Sequence, residues 1–262
     1  MPRFYLDLLE REVRQRRFRW HHPFNQRPME LSLAPDQSAV LVLWSKDFGP
    51  YLRRRKAFEG WPLFFHFTIT TPVSFLEPDL PPLSHRLDQL ERLVAAYGPR
   101  AVRWRFDPIV CWEQGGVLHD NLGSLDVIAA RVAAAGLRDV TVSLMDRYRK
   151  IDRRVSSTPL TFRYLSEEEQ ATVFAPRARI LQSMGFTIHT CCEPALTAIL
   201  GVRPGRCIDA ELLTASSGLP LRVEPDGGQR RHQGCGCHRS IDIGCYAHHR
   251  CLGQCLYCYA RP

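Results

Sequence analysis

No apolar run in the chain approaches the roughly 20 residues that a membrane-spanning helix requires, and nothing near the amino end resembles a secretory h-region. Those absences lead to the expectation of a soluble, cytoplasmic protein with no membrane partner. Lysine is nearly missing, since Lys46, Lys56 and Lys150 are the only ones and all the remaining positive charge is arginine. Such a bias can follow from base composition, so it blunts any argument from charge alone. No internal repeat is visible, which excludes solenoids and propellers.

The 262 residues, 45% of them hydrophobic, suffice for one α/β domain or for one domain with a small appendage. A formal net charge of +8 favours phosphates and other anions and makes nucleic acid an expected partner. The densest cation runs are Arg14, Arg16, Arg17 and Arg19, and Arg53 to Lys56. Ten cysteines without a secretory signal read as reduced thiols, metal ligands or catalysts and not as a disulfide framework.

Short β-branched and aromatic runs at 40–44, 64–70, 102–106, 140–144 and 186–189 read as strands. Amphipathic stretches at 83–97, 122–135 and 167–184 read as helices, the last entered through Ser166 as N-cap. Alternating strand and helix predicts an α/β fold with a parallel sheet, either a partial or complete (β/α) barrel or an open doubly wound sheet. Residues 216–233 read as a long loop, which sets a provisional division into 1–205 and a cysteine-rich segment 206–262.

Chemistry in parallel α/β folds sits at the carboxyl ends of strands. The residues just beyond the predicted strands are polar: Lys46 and Asp47, Thr70 and Thr71, Asp107, and then Asp146 to Lys150. Any one of them read alone is an ordinary loop residue. Together they mark one rim, with Lys46, Asp107, Asp146 and Arg149 as candidate catalytic or substrate-binding groups.

The carboxyl-terminal octet Cys251-Leu252-Gly253-Gln254-Cys255-Leu256-Tyr257-Cys258 lets three thiolates converge on one face of an iron–sulfur cube, leaving the fourth iron without a protein thiolate. A zinc knuckle completed by Cys245, His248 or His249 uses the same ligand chemistry and is the alternative. A second set, Cys191, Cys207, Cys235 and Cys237, can meet at the same rim and would satisfy a second [4Fe–4S] cluster or a zinc ion. Separate buried thiols are the plain alternative. Cys192 is the weaker candidate, Cys111 reads as a core residue, and Cys245 is unassigned.

The octet, with Tyr257 before its last cysteine, resembles the cluster loop of radical-SAM enzymes, and with Tyr259 it is similar to that of spore photoproduct lyase. A longer resemblance is carried by Pro2-Arg3-Phe4-Tyr5, His22-Pro23-Phe24-Asn25, Leu43-Trp44-Ser45-Lys46, Trp104-Arg105-Phe106-Asp107-Pro108, Asp146-Arg147-Tyr148-Arg149-Lys150, Cys207-Ile208-Asp209 and Gly234-Cys235-Gly236-Cys237. By these blocks the chain is identified as a member of the domain of unknown function 1848 (DUF1848) family.

The resemblance implies a [4Fe–4S] cluster, S-adenosylmethionine (SAM), an external electron donor and an unknown substrate, nucleic acid being one class. Asp107 and Tyr257 would be cofactor-binding. It also implies a permuted arrangement in which residues 240–244 form a sheet strand, the cluster loop follows and closes the mouth, and helix 4–17 packs where the next helix belongs. Relatives carry a strand before the Pro2 block, so the expectation is either a misassigned start or a sheet short of one strand with an exposed edge. Two rival readings stand beside the enzyme: a non-enzymatic, zinc-stabilised nucleic-acid-binding protein, and a cluster used only for structure or electron transfer.

Overall fold

The computed structural model describes residues 2–22, 25–34, 36–37, 39–243 and 248–261. The chain opens with α1 (Leu6–Gln15), which buries Leu6, Leu9 and Val13, and turns at Arg16 into an antiparallel ribbon of β1 (Arg17–His21) and β2 (Pro28–Ser32). Strand and helix then alternate through β3 (Leu41–Ser45), α2 (Gly49–Arg54), β4 (Leu63–Thr68), α3 (Leu83–Tyr97) and β5 (Val102–Ile109). An excursion of β6 (Cys111–Gln114) and β7 (Val117–Asp120) precedes α4 (Leu125–Ala134) and β8 (Asp139–Leu144). After α5 (Arg149–Val155) and β9 (Leu160–Phe162) come α6 (Glu167–Ser183), β10 (Thr187–Thr190), β11 (Val202–Pro204) and α7 (Ala210–Ser217).

Six strands form one parallel sheet in the order β11-β10-β8-β5-β4-β3, with β3 and β11 at its edges. That order is the order of the chain, so right-handed crossovers put the connecting helices on one face. Phe65, Phe67, Trp104, Phe106, Val140, Val142 and Ile188 are fully buried in that apolar layer. Each such side chain contributes roughly 1.5–3 kcal/mol.

Strict alternation gives the opposite face a different character. Trp44, His66 and Arg103 are aligned across one row, and Thr68, Arg105, Thr141 and His189 across the next. This face is polar, yet His66, Arg103, Arg105 and Thr141 are buried. Its cover is the segment leading into α7. Gly205 N–H donates to the Thr190 carbonyl at 2.8 Å, His66 Nε2 donates to the Cys207 carbonyl at 2.7 Å, and α7 lies against β4.

Beyond the carboxyl end of β5, strands β7, β6 and β9 make a small antiparallel sheet. Its apolar side, with α5, forms a second cluster of Leu76, Val110, Trp112, Ile151, Phe162 and Tyr257, against which Cys255 and Cys258 pack. The carboxyl terminus is thereby anchored to an outgrowth of the sheet's rim.

The strand expected at 240–244 does not form. Residues 240–243 have no ladder, Gly244 lies outside the described residues, and the sixth strand of the sheet is β11. Ile243 alone reaches the main core while Ile241 is exposed, so the segment buries too little to compete for a sheet edge. Among the described residues no helix is long and apolar enough to cross a membrane.

Candidate metal and substrate site

The terminal loop is fixed to the carboxyl-end rim by contacts that span almost the whole chain. Leu256 N–H donates to the Leu76 carbonyl at 2.8 Å, and Tyr5 Oη donates to the Arg250 carbonyl at 2.6 Å. Arg154 holds the carbonyls of Leu256, Cys258 and Arg261 at 2.6, 3.1 and 3.2 Å. Tyr257 is buried and its hydroxyl donates to Glu77. The same carboxylate pairs with Lys46 Nζ at 2.9 Å and accepts from Thr70 Oγ1 at 3.0 Å. Lys46 in turn donates to the Asp107 carbonyl at 3.2 Å. Three strand ends, those of β3, β4 and β5, therefore meet under the cysteine loop.

Burial pushes the Glu77 carboxyl up, but Lys46, the Tyr257 hydroxyl and Arg86 outweigh it, so its pKa lies below the usual value. Arg86, from the first turn of α3, is 1% exposed, and only its Nη2 has a partner, the Thr70 carbonyl at 3.4 Å. Its Nε and Nη1 are buried without one. Burial lowers its pKa, while the charges of Glu77, Tyr257 and Cys255 act to raise it. A guanidinium left with two unused donors beside a cysteine loop fits an anionic group at that loop. The thiols act on one another as well. Burial pushes Cys255 up to about 11, Lys46 opposes the rise, and Glu77, Cys258 and Cys251 add to it.

Asp107 does not offer free carboxylate oxygens. Arg105 takes one of them, at 3.1 Å from Nε and 2.5 Å from Nη2, and Ser143 donates to the other. Asp146 pairs with Arg230 at 2.7 Å, and Arg149 is exposed at the start of α5. Between them, Tyr148 stacks on Tyr259 with ring centroids 5.3 Å apart, which brings this corner to the terminal loop.

The second cysteine set lies on the other side of Arg105. Cys191 follows β10, and its Sγ is 3.2 Å from Cys207 Sγ, which also accepts Arg105 Nη1 at 3.1 Å. Cys237 Sγ accepts the Cys207 N–H at 3.2 Å, and hydrogen bonds from Cys191 and Cys237 hold the Cys207 thiol well below its usual pKa. Burial raises the pKa of Cys192, a residue at φ 58°, and the nearby Cys235 adds to the rise. Gly205 permits the approach, because a Cβ there would stand 2.8 Å from the Thr190 carbonyl oxygen. Among the described residues no three or more His, Cys, Asp or Glu side chains are placed, as they stand, so that they could hold a metal ion.

Several groups at this site escaped the sequence reading. Glu77 and Arg86 are the buried pair beneath the loop, His66 and Arg105 line the covered face, and Glu193 accepts Leu144 N–H at 2.8 Å. Burial pushes Glu193 up to about 7, the Leu144 N–H opposes this, and Asp146 adds to the rise. Burial likewise drives His66 down to about 3, helped by Arg105, so the ring is neutral. The alternation Val102-Arg103-Trp104-Arg105-Phe106-Asp107 carried a signal for a polar inner face. Nothing in the sequence around Glu77 did. Cys111 is a core thiol as expected, raised to about 11 by burial. Of the cation runs, Arg17 and Arg19 pair with Glu30, Arg54 with Asp7 and Glu10, and Arg16 with the carbonyls of Ala34 and Gln37.

A parallel α/β sheet with a covered polar face and two groups of cysteines on its carboxyl rim defines the class of protein. The chain belongs to the family Domain of unknown function (DUF1848), which it matches over residues 1–260. No curated protein and no solved structure matches it.

Proposed function

We propose that this chain is an iron–sulfur enzyme of the radical-SAM kind, built on an open, partial (β/α) barrel whose mouth the cysteine-rich carboxyl-terminal segment closes. Cys251, Cys255 and Cys258 hold a [4Fe–4S] cluster. With an electron from an external donor, the bound cluster and SAM supply a 5′-deoxyadenosyl radical for hydrogen abstraction. The observation that carries the reading is the three-thiol loop over the strand ends with Arg86 beneath it, two of its donors unused.

The chain's own residues set the environment for that chemistry. Tyr257, through Glu77 and Lys46, ties the loop to the rim and excludes water from below. Asp107 acts as a positioning residue that orients Arg105, while Asp146, Lys46 and Arg149 meet the polar groups of cofactor and substrate. Nucleic acid is the proposed substrate class. The stacked Tyr148 and Tyr259, flanked by the exposed Arg149 and Lys150, suit a base beside a phosphate. Arg17, Arg19 and Arg54 are paired with carboxylates and Arg16 with carbonyls, which argues against the rival picture of a binding module that works through these four.

Anaerobic purification tests the cluster directly. The protein should be brown and give a reduced-cluster EPR signal that disappears when Cys251, Cys255 and Cys258 are all replaced by Ala. An unchanged signal and iron content in that variant would remove the assignment, and a colourless protein would favour zinc.

A further inference from the structure

The thiols of Cys191, Cys207, Cys235 and Cys237 take no part in the chemistry proposed for the terminal loop, and they come from three separate stretches. One ends β10, one lies in the turn before α7, and two flank Gly236. No local turn collects them. The fold does so through the Cys191 Sγ to Cys207 Sγ contact at 3.2 Å and the Cys207 N–H bond to Cys237 Sγ at 3.2 Å, with Cys235 only two residues from Cys237.

Spacing discriminates between the metals such thiols can take. A tetrahedral zinc with Zn–S bonds of about 2.3 Å sets its ligand sulfurs about 3.8 Å apart along each edge. Thiolates on different irons of a cubane are separated by the body of the cube as well as by two Fe–S bonds. The sulfur–sulfur distance of 3.2 Å is shorter than both spacings but lies much closer to the first. Soft thiolates also select against calcium and magnesium. Two N–H donors already point at the sulfurs, Arg105 Nη1 on Cys207 at 3.1 Å and the Cys207 amide on Cys237. Such outer hydrogen bonds spread the excess negative charge of a four-thiolate zinc site.

We infer that Cys191, Cys207, Cys235 and Cys237 bind one zinc ion as a closed structural site that ties the segment covering the polar face to the carboxyl end of β10. Cys235, two residues before Cys237, completes the shell. The inference is independent of the cluster at the terminal loop.

Metal analysis of the full chain purified anaerobically is the test. It should find one zinc per chain, retained when Cys251, Cys255 and Cys258 are all replaced by Ala, retained in Cys192→Ala, and lost in Cys207→Ser. Because Cys207→Ser removes a central thiol and can prevent folding, the wild-type chain is also exchanged with cobalt. Intense visible bands of a tetrahedral four-thiolate cobalt centre are expected, with zinc competing them away. The inference is overturned if the triple Ala variant keeps iron–sulfur absorption in place of zinc, if cobalt gives only the weak spectrum of a higher-coordinate site, or if these thiols oxidise to a disulfide and hold no metal. A wild-type chain with zinc and no iron would sink the cluster assignment alone.

Discussion

Replacing Glu77 by Gln tests how the terminal loop is held. Glu77 is almost fully buried and serves Lys46, Thr70 and Tyr257 at once. The amide can keep a hydrogen bond to Thr70 or Tyr257 but leaves the Lys46 ammonium without its counter-charge. Removing one member of a buried ion pair costs about 3–5 kcal/mol. The Lys46 side chain keeps 20% of its surface in solvent, which screens part of that loss and brings the expectation to about 2–3 kcal/mol. For a chain of this length that is a fall in Tm of roughly 5–10 °C by calorimetry or circular dichroism.

The pH dependence has a definite sign. The folded-state pKa of Glu77 is lowered, so its contribution is present above the unfolded carboxylate value and is lost as pH falls through the folded one. Wild type and Glu77→Gln should therefore converge in acid. Adding Lys46→Met to Glu77→Gln should recover stability, because the unpaired charge is gone. A Tm within 2 °C of wild type, or no recovery in the double variant, would refute the reasoning.

Ser166→Ala removes the capping box that Ser166 and Glu169 make at the start of α6, and should cost about 1 kcal/mol in urea unfolding. Gly205→Ala drives a methyl into the Thr190 carbonyl; it should destabilise by about 1–3 kcal/mol and reduce zinc retention without altering a thiol. Tyr148→Ala should weaken binding of a single-stranded oligonucleotide by about 1–3 kcal/mol in fluorescence anisotropy, the value of one stacked base. Arg54→Ala should leave that affinity within about twofold, since Asp7 and Glu10 already hold Arg54 and an exposed, paired charge adds little.

Periodicity and capping made the frame of the fold legible. The stretch read as helix at 83–97 coincides with α3, and the Ser166 entry to α6 is present with its reciprocal Glu169 bond. The five strands read from apolar runs are all in the parallel sheet. β11 escaped because Val202-Arg203-Pro204 reads as a turn, yet a proline is tolerated at a sheet edge, where no ladder partner needs its missing N–H. The strand expected at 240–244 came from the resemblance and not from a local pattern, and residues 240–243 find no ladder partner. Glu77 and Arg86 could not be read at all, because a buried hub formed by residues from three elements leaves no local pattern.

The central claim is that the terminal loop supports radical chemistry with SAM. Anaerobic reconstitution of the full chain with iron and sulfide, followed by SAM and dithionite, measures it through the 5′-deoxyadenosine released. The account predicts cluster-dependent release that is abolished when Cys251, Cys255 and Cys258 are replaced by Ala and that survives Cys192→Ala. A wild-type chain that carries a full cluster, binds SAM and still releases no 5′-deoxyadenosine would contradict it.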